Sequence, residues 1–584
     1  MKKIFMPYFA LFIMLVGCDD LFDPALENVL DKNQMYNQVS FAQGYLLNGY
    51  TRIPGLSFND VATDDAVTND KNNAFLKMAT GQWTANNNPT DQWTNSHAAI
   101  QYLNIALAEV DNIRWAEDEK ASLMFRDRIK GEAYGLRGFF MYLVLRSHSG
   151  WTSSGQLLGV PILTDVQDIN TNFNKPRATL QECLDQLFED LSRAEELLPL
   201  DYNNITSSEN IPAKYRDLGI TPEEYSRVFG EYYRLRMTAR IAKGIRAQAA
   251  LLGASPAFNE GTNVSWEDAA NASADVLNLI GGVNGLASNG WTWYDNQSEI
   301  NNLAAGVNPP EILWRGGAAN SRSLEEENYP PTLYGNGRIN PTQNLVEAFP
   351  MANGYPILSS ESGYNANAPY QNRDPRLQKY IVFNGSSVGP SNRTVRTDVS
   401  GGTTDGIDRI ETSTRTGYYL RKHLRSDVNL DPNTANEQKH YTAFIRYTEL
   451  FLNYAEAANE AWGPDGTGGH GYSAKDVVRA IRARAGVGNS NGDPYLSSIQ
   501  TKEQMRELIR NERRLELCFE GHRFWDLRRW NLQLDESAVG VRITGNNYTP
   551  TLVENRLYAE HMTYGPVPYS EIIKWSELIQ NQGW

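Results

Sequence analysis

In RMTARIAKGIRAQAALLGASPAF (residues 236–258) apolar side chains recur at helical spacing, and alanine and glycine fill many of the positions between them. Such a helix buries its stripe best against other helices, and small residues at Ala239, Ala242, Ala250 and Ala254 let neighbouring axes approach closely. FLNYAEAANEAWG (451–463) repeats the device at Ala455, Ala457 and Ala458. Helical periodicity runs over about 93–113, 122–147, 179–198, 237–254, 266–280, 443–461, 474–485 and 502–519. Several of these segments come as pairs. The pattern predicts a mainly α protein on a degenerate tetratricopeptide-like scaffold of helical hairpins, in which no repeat of about 34 residues keeps register. Residues from about 281 to 440 break the pattern with Gly, Asn, Pro, Ser and Thr, and only short strand-like runs such as EILWR and KYIVF interrupt them. A segment this long and irregular is usually functional or disordered, and its aromatic content predicts an ordered, functional one.

The N-terminus carries a second signal. Lys2 and Lys3 precede an apolar run, Ile4 to Val16, too short for an ordinary membrane span, and Leu15-Val16-Gly17-Cys18 places small residues before a cysteine. This resembles a bacterial lipobox. The resemblance implies cleavage after residue 17 and acylation of Cys18, which leaves residues 18–584 as one domain. Its helical scaffold spans about 30–280 and 440–584, around the ligand-facing insert 281–440. Asp19, Asp20 and Asp23 follow at once, similar to the acid-rich export tag that sends some Gram-negative lipoproteins to the outer leaflet of the outer membrane. No apolar run of about eighteen residues follows residue 17, so no later helix is expected to span a bilayer.

Charge narrows the partners. The chain carries 54 Lys+Arg against 69 Asp+Glu, a net charge of -15, which repels a phosphate backbone and argues against nucleic acid. Cys183 falls on the apolar stripe of TLQECLDQLFEDLSRAEELLP, and Cys518 sits beside Leu515 and Phe519, so both read as small core residues rather than a disulfide. HExxH, Gly-x-Ser-x-Gly and P-loop motifs are absent, and the seven histidines lack ligand spacing. His522, four residues before Asp526, reads as a hydrogen-bonded structural histidine. The Asp- and Asn-rich stretch NDVATDDAVTND offers oxygen ligands to calcium but not the spacing of an EF-hand loop, so no metal or other cofactor is expected.

RNERRLELCFEGHRFWDLRRW (510–530) resembles the C-terminal signature of the SusD/RagB family of surface lipoproteins. Further blocks follow in the family's order: GEAYGLRGFFMYLVLRSHSG, GVPILTD, KGIRAQAALLGASPAFN, PTQNLVEAFPMANGYPI, NRDPRL, TGYYLRK, FIRYTELFLNYAEAANE, VVRAIRARAGV and the closing PVPYSEI to NQGW. The resemblance implies a lipid-anchored, surface-exposed outer-membrane protein that captures an oligosaccharide and closes as the lid of a TonB-dependent, SusC-like transporter. A peptide-capturing RagB-like role and a glycoside hydrolase are the alternatives. The hydrolase reading would use Glu512 and Glu516 as acid and base. Each glutamate has an arginine one turn away, which predicts depressed pKa values and a structural ion network instead.

Saccharide binding calls for flat aromatic faces and planar polar side chains. Trp83 lies in a polar loop with Asn86, Asn87 and Asn88, and it is the first expected stacking platform, with Asp65 and Asp64 as hydroxyl acceptors. Trp291, Trp293 and Tyr294 form a second cluster in which alternation would turn both tryptophans to one side, and Trp291 or Trp293 is expected to be a second platform. Tyr329 and Tyr334 are further aromatic candidates, and Arg373 of NRDPRL is a candidate donor to sugar oxygens. Trp93 and Trp314 are expected to pack in the core.

Overall fold

The computed structural model describes residues 36, 38–168 and 170–584. Cys18 and the leader lie outside the described residues. The principal helices are α1 (Val39–Thr51), α2 (Trp93–Glu109), α3 (Glu119–His148), α4 (Leu180–Leu197), α5 (Ala239–Ala254), α6 (Trp266–Leu277), α7 (Tyr447–Trp462), α8 (Ala474–Ala485), α9 (Lys502–Glu516) and α10 (Arg523–Arg529). Eight of them fall where periodicity predicts. Several starts are set by side chains: Thr179, Ser265, Ser473 and Thr501 each close a capping box with the residue three positions on.

Each helix from α2 to α7 packs on its predecessor, and α7 in turn packs on α8 and α9. The step from α6 to α7 is continuous in space but not in sequence, so residues 278–446 are looped out between two neighbouring helices of one stack. Close approach depends on small residues, as expected: Ala239, Ala242, Ala250, Ala254, Ala455, Ala457 and Ala458 are all buried. On α3, Gly131, Gly135 and Gly138 line the contact with α4. A Cβ added at Gly131 would lie 2.6 Å from Leu198 Cγ, and one at Gly135 would collide with Met237.

The looped-out region builds its own core around Leu345, Phe349, Leu377, Tyr380, Ile381 and Leu420, into which Val61 and Ala66 reach from the N-terminal part of the chain, Leu515 from α9 and Phe519 from the turn after it. Among the described residues its strands form only two-stranded sheets. β1 (Ala66–Thr68) pairs antiparallel with β4 (Ile339–Pro341), while β2 (Ile312–Arg315) and β3 (Ala319–Ser321) pair with β6 (Ala443–Arg446) and β5 (Gln438–His440). The β2–β6 register passes from Ala443↔Arg315 to Ile445↔Trp314, so Phe444 is a bulge residue. Trp93 and Trp314 are core residues, as are the free thiols Cys183 and Cys518.

Ion pairs join the two regions. Glu512, Glu516 and Glu520, one helical turn apart, are met by Arg376 and Lys422 from the insert, Arg446 from β6, and Arg482 and Arg484 from α8. Contact distances there run from 2.6 Å (Lys422–Glu520) to 3.5 Å (Arg446–Glu516). Burial pushes Glu516 up, but Arg484, Arg446, Arg376 and Lys422 outweigh it and hold the carboxyl below its usual range. Such a group is a poor proton donor, which favours the network expected from sequence over an acid–base pair. Gly135→Ala is expected to lower the unfolding free energy by about 1–3 kcal/mol by overpacking against Met237, measured as a shifted urea midpoint.

Candidate ligand-binding cleft

A cleft runs along the seam between helix stack and insert. Its walls come from the loop after α1 (Leu56, Ser57 and Asn59), from α3 (Phe139, Tyr142 and Arg146), from Trp293 and Tyr294, and from residues 440–444 between and within β5 and β6. The α9–α10 turn forms its floor. There Phe519 adopts φ 60 and Gly521 φ 76, left-handed geometry that is costly for phenylalanine. Two contacts hold the turn. The Phe519 N–H donates to Asp60 Oδ1 at 3.0 Å, and its carbonyl lies 2.8 Å from His423 Nε2. A Cβ on Gly521 would also come within 3.3 Å of the Ser57 carbonyl. The turn presents Glu520, His522 and Trp525 to the cavity.

The cleft has two main compartments, of about 350 Å³ and about 190 Å³, which share Leu56, Thr442, Ala443, Phe444, Glu520 and His522. A narrower extension of about 40 Å³ runs under Trp525 toward Asn453 and Arg528. His522 lines all three. The larger compartment is walled by Trp293, Tyr294, Tyr441 and Phe444, and the smaller by Phe75, Phe139, Tyr142 and Trp525. Tyr441, Phe444 and Trp525 are half-buried. The bulge that frees Phe444 from the β2–β6 register places its ring edge-on to Trp314 at 5.2 Å and on the cleft wall. Polar atoms along the walls lack hydrogen-bond partners among the described residues: Asn59 Oδ1, Gln92 Oε1, Arg146 Nε, Ser147 Oγ and Trp293 Nε1. A buried polar atom left unpaired costs about 1–3 kcal/mol, so this lining suits a ligand rich in hydrogen-bonding groups laid against aromatic rings.

A model of the SusD family matches residues 296–584, and a second, described as starch-binding associating with outer membrane, matches residues 25–215. The chain belongs to the SusD/RagB family. Among curated SusD-like relatives, the SusD-like protein P38 of Formosa agariphila is 23% identical over 82% of this chain and 79% of its own length. The SusD-like protein P2 of the same organism is 30% identical over 28% of this chain and 29% of its own length. A crystal structure of a SusD-like protein from Bacteroides fragilis superposes with a TM-score of 0.71 at 24% identity, covering 96% of this chain and all of the other (100%). A SusD-like carbohydrate binding protein from the same species gives 0.67 at 20% identity, covering 93% and 99%. The SusD-like fold is thereby established for a mainly helical chain of this order of elements.

Most of the site residues expected from the SusD-like sequence lie elsewhere than in an open surface. Trp83 is 3% exposed. Its ring meets Trp584 edge-on at 4.9 Å, Arg528 lies 5.1 Å above it, and its indole N–H donates to Asn88 Oδ1 at 3.0 Å. The asparagines that made the loop look solvent-facing include the partner that lets the indole bury, so Trp83 is no stacking platform. Asp64 and Asp65 are buried too, clamped by Arg514 and Arg523 at 2.6–3.0 Å, and they tie the N-terminal loop to α9 and α10. Burial pushes both carboxyls up; Arg514 and Arg523 outweigh it at Asp64, whereas Asp65 stays raised, and it is burial under the two arginines that closes both aspartates to a sugar hydroxyl. Arg373 is spent on the carbonyls of Pro369, Val346 and Phe349, while Asp374 pairs with Arg376. Residues 290–292 form a 3-10 turn, not a strand, so Trp291 and Trp293 diverge: Trp293 reaches the cleft wall and Trp291 does not. Tyr329 is buried and Tyr334 exposed.

Tyr441, Phe444, Arg146 and Trp525 were not singled out by sequence as ligand contacts. Only Trp525 carried a signal, since it follows Gly521 and His522 at the end of a charged helix. The His522 ring, expected to be hydrogen-bonded, has no such partner among the described residues, and burial lowers its pKa, which favours the neutral ring. Behind the floor, Asp60 is buried with Oδ2 unpaired, and burial, with Asp65 nearby, pushes its carboxyl up to about 7. The native state therefore binds a proton that the unfolded chain has released above its usual pKa of 3.8, and stability falls as pH rises from there to about 7. Asp60→Asn is expected to raise the melting temperature at pH 8, with the gain shrinking toward zero by about pH 4, read by calorimetry across that range.

Proposed function

We propose that this protein captures an oligosaccharide in the seam cleft, with sugar rings lying against Trp525, Tyr441 and Phe444. The single observation that supports this most directly is the coincidence, in one cavity, of half-buried aromatic rings and buried polar atoms without protein partners. Rings supply stacking area, and the amide, hydroxyl and guanidinium groups supply the orienting bonds that hydroxyl-rich ligands need. The reading agrees with the names of relatives described as starch-binding or carbohydrate-binding. It involves no covalent chemistry: Glu449 faces the cleft and accepts from Gln248 at 2.7 Å, and Glu520 is bound by Arg446 and Lys422.

In this reading the protein is a lipoprotein held by Cys18 at the cell surface, and it serves as the lid over a TonB-dependent transporter of the outer membrane. The lipobox-like sequence supports the anchor, and the family model named for association with the outer membrane supports the location. Ligand would favour the closed lid only by making better contacts there than in the open state. The cleft's position at the seam of two separately built cores gives such closure a natural line.

Titration calorimetry with a panel of oligosaccharides, and with peptides as the contrasting class, tests the ligand. Trp525→Ala and Tyr441→Ala are each expected to weaken saccharide binding about fivefold or more, whereas Trp83→Phe leaves affinity unchanged and lowers only stability. Binding of peptides alone would overturn the saccharide reading. For the anchor, metabolic labelling with a fatty acid is expected to mark the full-length protein and to vanish in Cys18→Ser, with the variant released from membranes. Label persisting in that variant would place the lipid elsewhere.

A further inference from the structure

The seam cleft holds arginines that no carboxylate neutralises. Arg146, on the last turn of α3, lines the smaller compartment and its extension, and lies 4.6 Å over the Trp525 ring. It makes no ion pair among the described residues; the Tyr142 hydroxyl is its neighbour, and its Nε is buried without a partner. Arg528, in the extension, is 4% exposed and donates to the carbonyls of Met562 and Phe524, with the Tyr558 hydroxyl beside it; it makes no ion pair among the described residues, and its Nη2 lacks a hydrogen-bond partner there. The contrast with the rest of the seam is sharp, since Arg376, Arg446, Arg482, Arg484, Arg513, Arg514, Arg523 and Arg529 are all paired with carboxylates. In a chain of net charge -15, two unneutralised guanidinium groups beside one aromatic floor are a selective feature. Glu449, a wall carboxylate without a cation among the described residues, accepts from Gln248; it lines the larger compartment and, with Arg146 and Trp525, the narrow extension, but not the smaller compartment, which Arg146 and Trp525 also line.

From this arrangement we infer that the ligand is an anionic saccharide, whose carboxylate or sulfate group is taken by the fork of Arg146 while its ring lies along Trp525. The guanidinium fork matches a planar carboxylate or two sulfate oxygens bidentately, which a hydroxyl-only sugar exploits far less. The partner-free Ser147 Oγ and Gln92 Oε1 on the same compartment complete the polar wall. This inference rests on the saccharide-binding reading and adds to it the charge of the ligand.

The test is titration calorimetry on the soluble chain with three probes of equal length: a galacturonate trisaccharide, its neutral galactose counterpart and a sulfated galactose trisaccharide. At least one anionic probe is expected to bind about tenfold or more tighter than the neutral one, with affinity falling as salt rises, and the better of the two distinguishes carboxylate from sulfate. Arg146→Gln should bring that probe down to the neutral one's affinity, and Arg146→Lys should retain part of the preference. The comparison among probes and the salt dependence use the unaltered protein, so they decide the matter even if a variant fails to fold. Equal binding of neutral and anionic probes, unaffected by salt, would overturn the charge preference and leave saccharide capture standing. Binding of none of these probes or of any other saccharide would overturn both.

Discussion

A row of buried carboxylates, Glu512, Glu516 and Glu520, holds the molecule together along its seam. The side chains recur every fourth residue, so they share one face of α9 and the turn beyond it. Their partners come from three separate stretches of chain: Arg376 and Lys422 from the insert, Arg446 from β6, and Arg482 and Arg484 from α8. Hydrophobic residues of the same volume could pack a seam just as tightly, and replacing buried ion pairs that way is often neutral or stabilising. What charges add is exclusivity, because each arginine displaced from its carboxylate is an uncompensated buried ion costing about 3–5 kcal/mol. The insert therefore has one favourable register on the helix stack.

That register is what creates the cleft. The helix stack packs one core and the insert another, and the two meet where α9 ends. Between them the chain must turn within a few residues, and it does so through left-handed geometry at Phe519 and Gly521. Asp60 and His423 hold that turn from opposite sides. The cost of a strained phenylalanine and a half-neutralised aspartate is thus concentrated beneath the one cavity where Trp525 and His522 face the ligand. The polar walls are the other local cost of the site, one that a ligand rich in hydrogen-bonding groups would offset.

The balance of charge across the seam also separates structure from recognition. Most arginines there are consumed by carboxylates within the protein and have nothing left for a ligand. Arg146 and Arg528 instead lie over aromatic rings, Trp525 at 4.6 Å and Phe524 at 3.5 Å. Contact with the ring face keeps such a guanidinium in place without neutralising it. This is why two arginines of equal burial can differ in role.

The sequence alone determined the helices, their small-residue contacts and the family, because periodicity, alanine placement and ordered motif blocks are local properties of the chain. It also pointed to a structural role for the α9 glutamates but not to their partners: the arginines one turn away pair elsewhere, Arg513 with Asp526 and Arg514 with Asp64, while Glu512 and Glu516 are met by Arg376, Arg446, Arg482 and Arg484 from distant stretches of the chain. It did not determine the ligand surface. Trp83 looked open because its neighbours in sequence are polar, yet its neighbours in space are Trp584, Tyr558, Phe524 and Arg528, contributed from the far end of the chain. Asp64, Asp65 and Arg373 looked free for the same reason and are consumed by Arg514, Arg523 and three backbone carbonyls. Conversely, Phe444 reaches the cleft through a bulge and Tyr441 from the link between β5 and β6, while Arg146 lines it without an ion pair among the described residues. Whether an aromatic ring or a charge is open to a ligand depends on what the remainder of the chain brings against it, and only tertiary structure decides that.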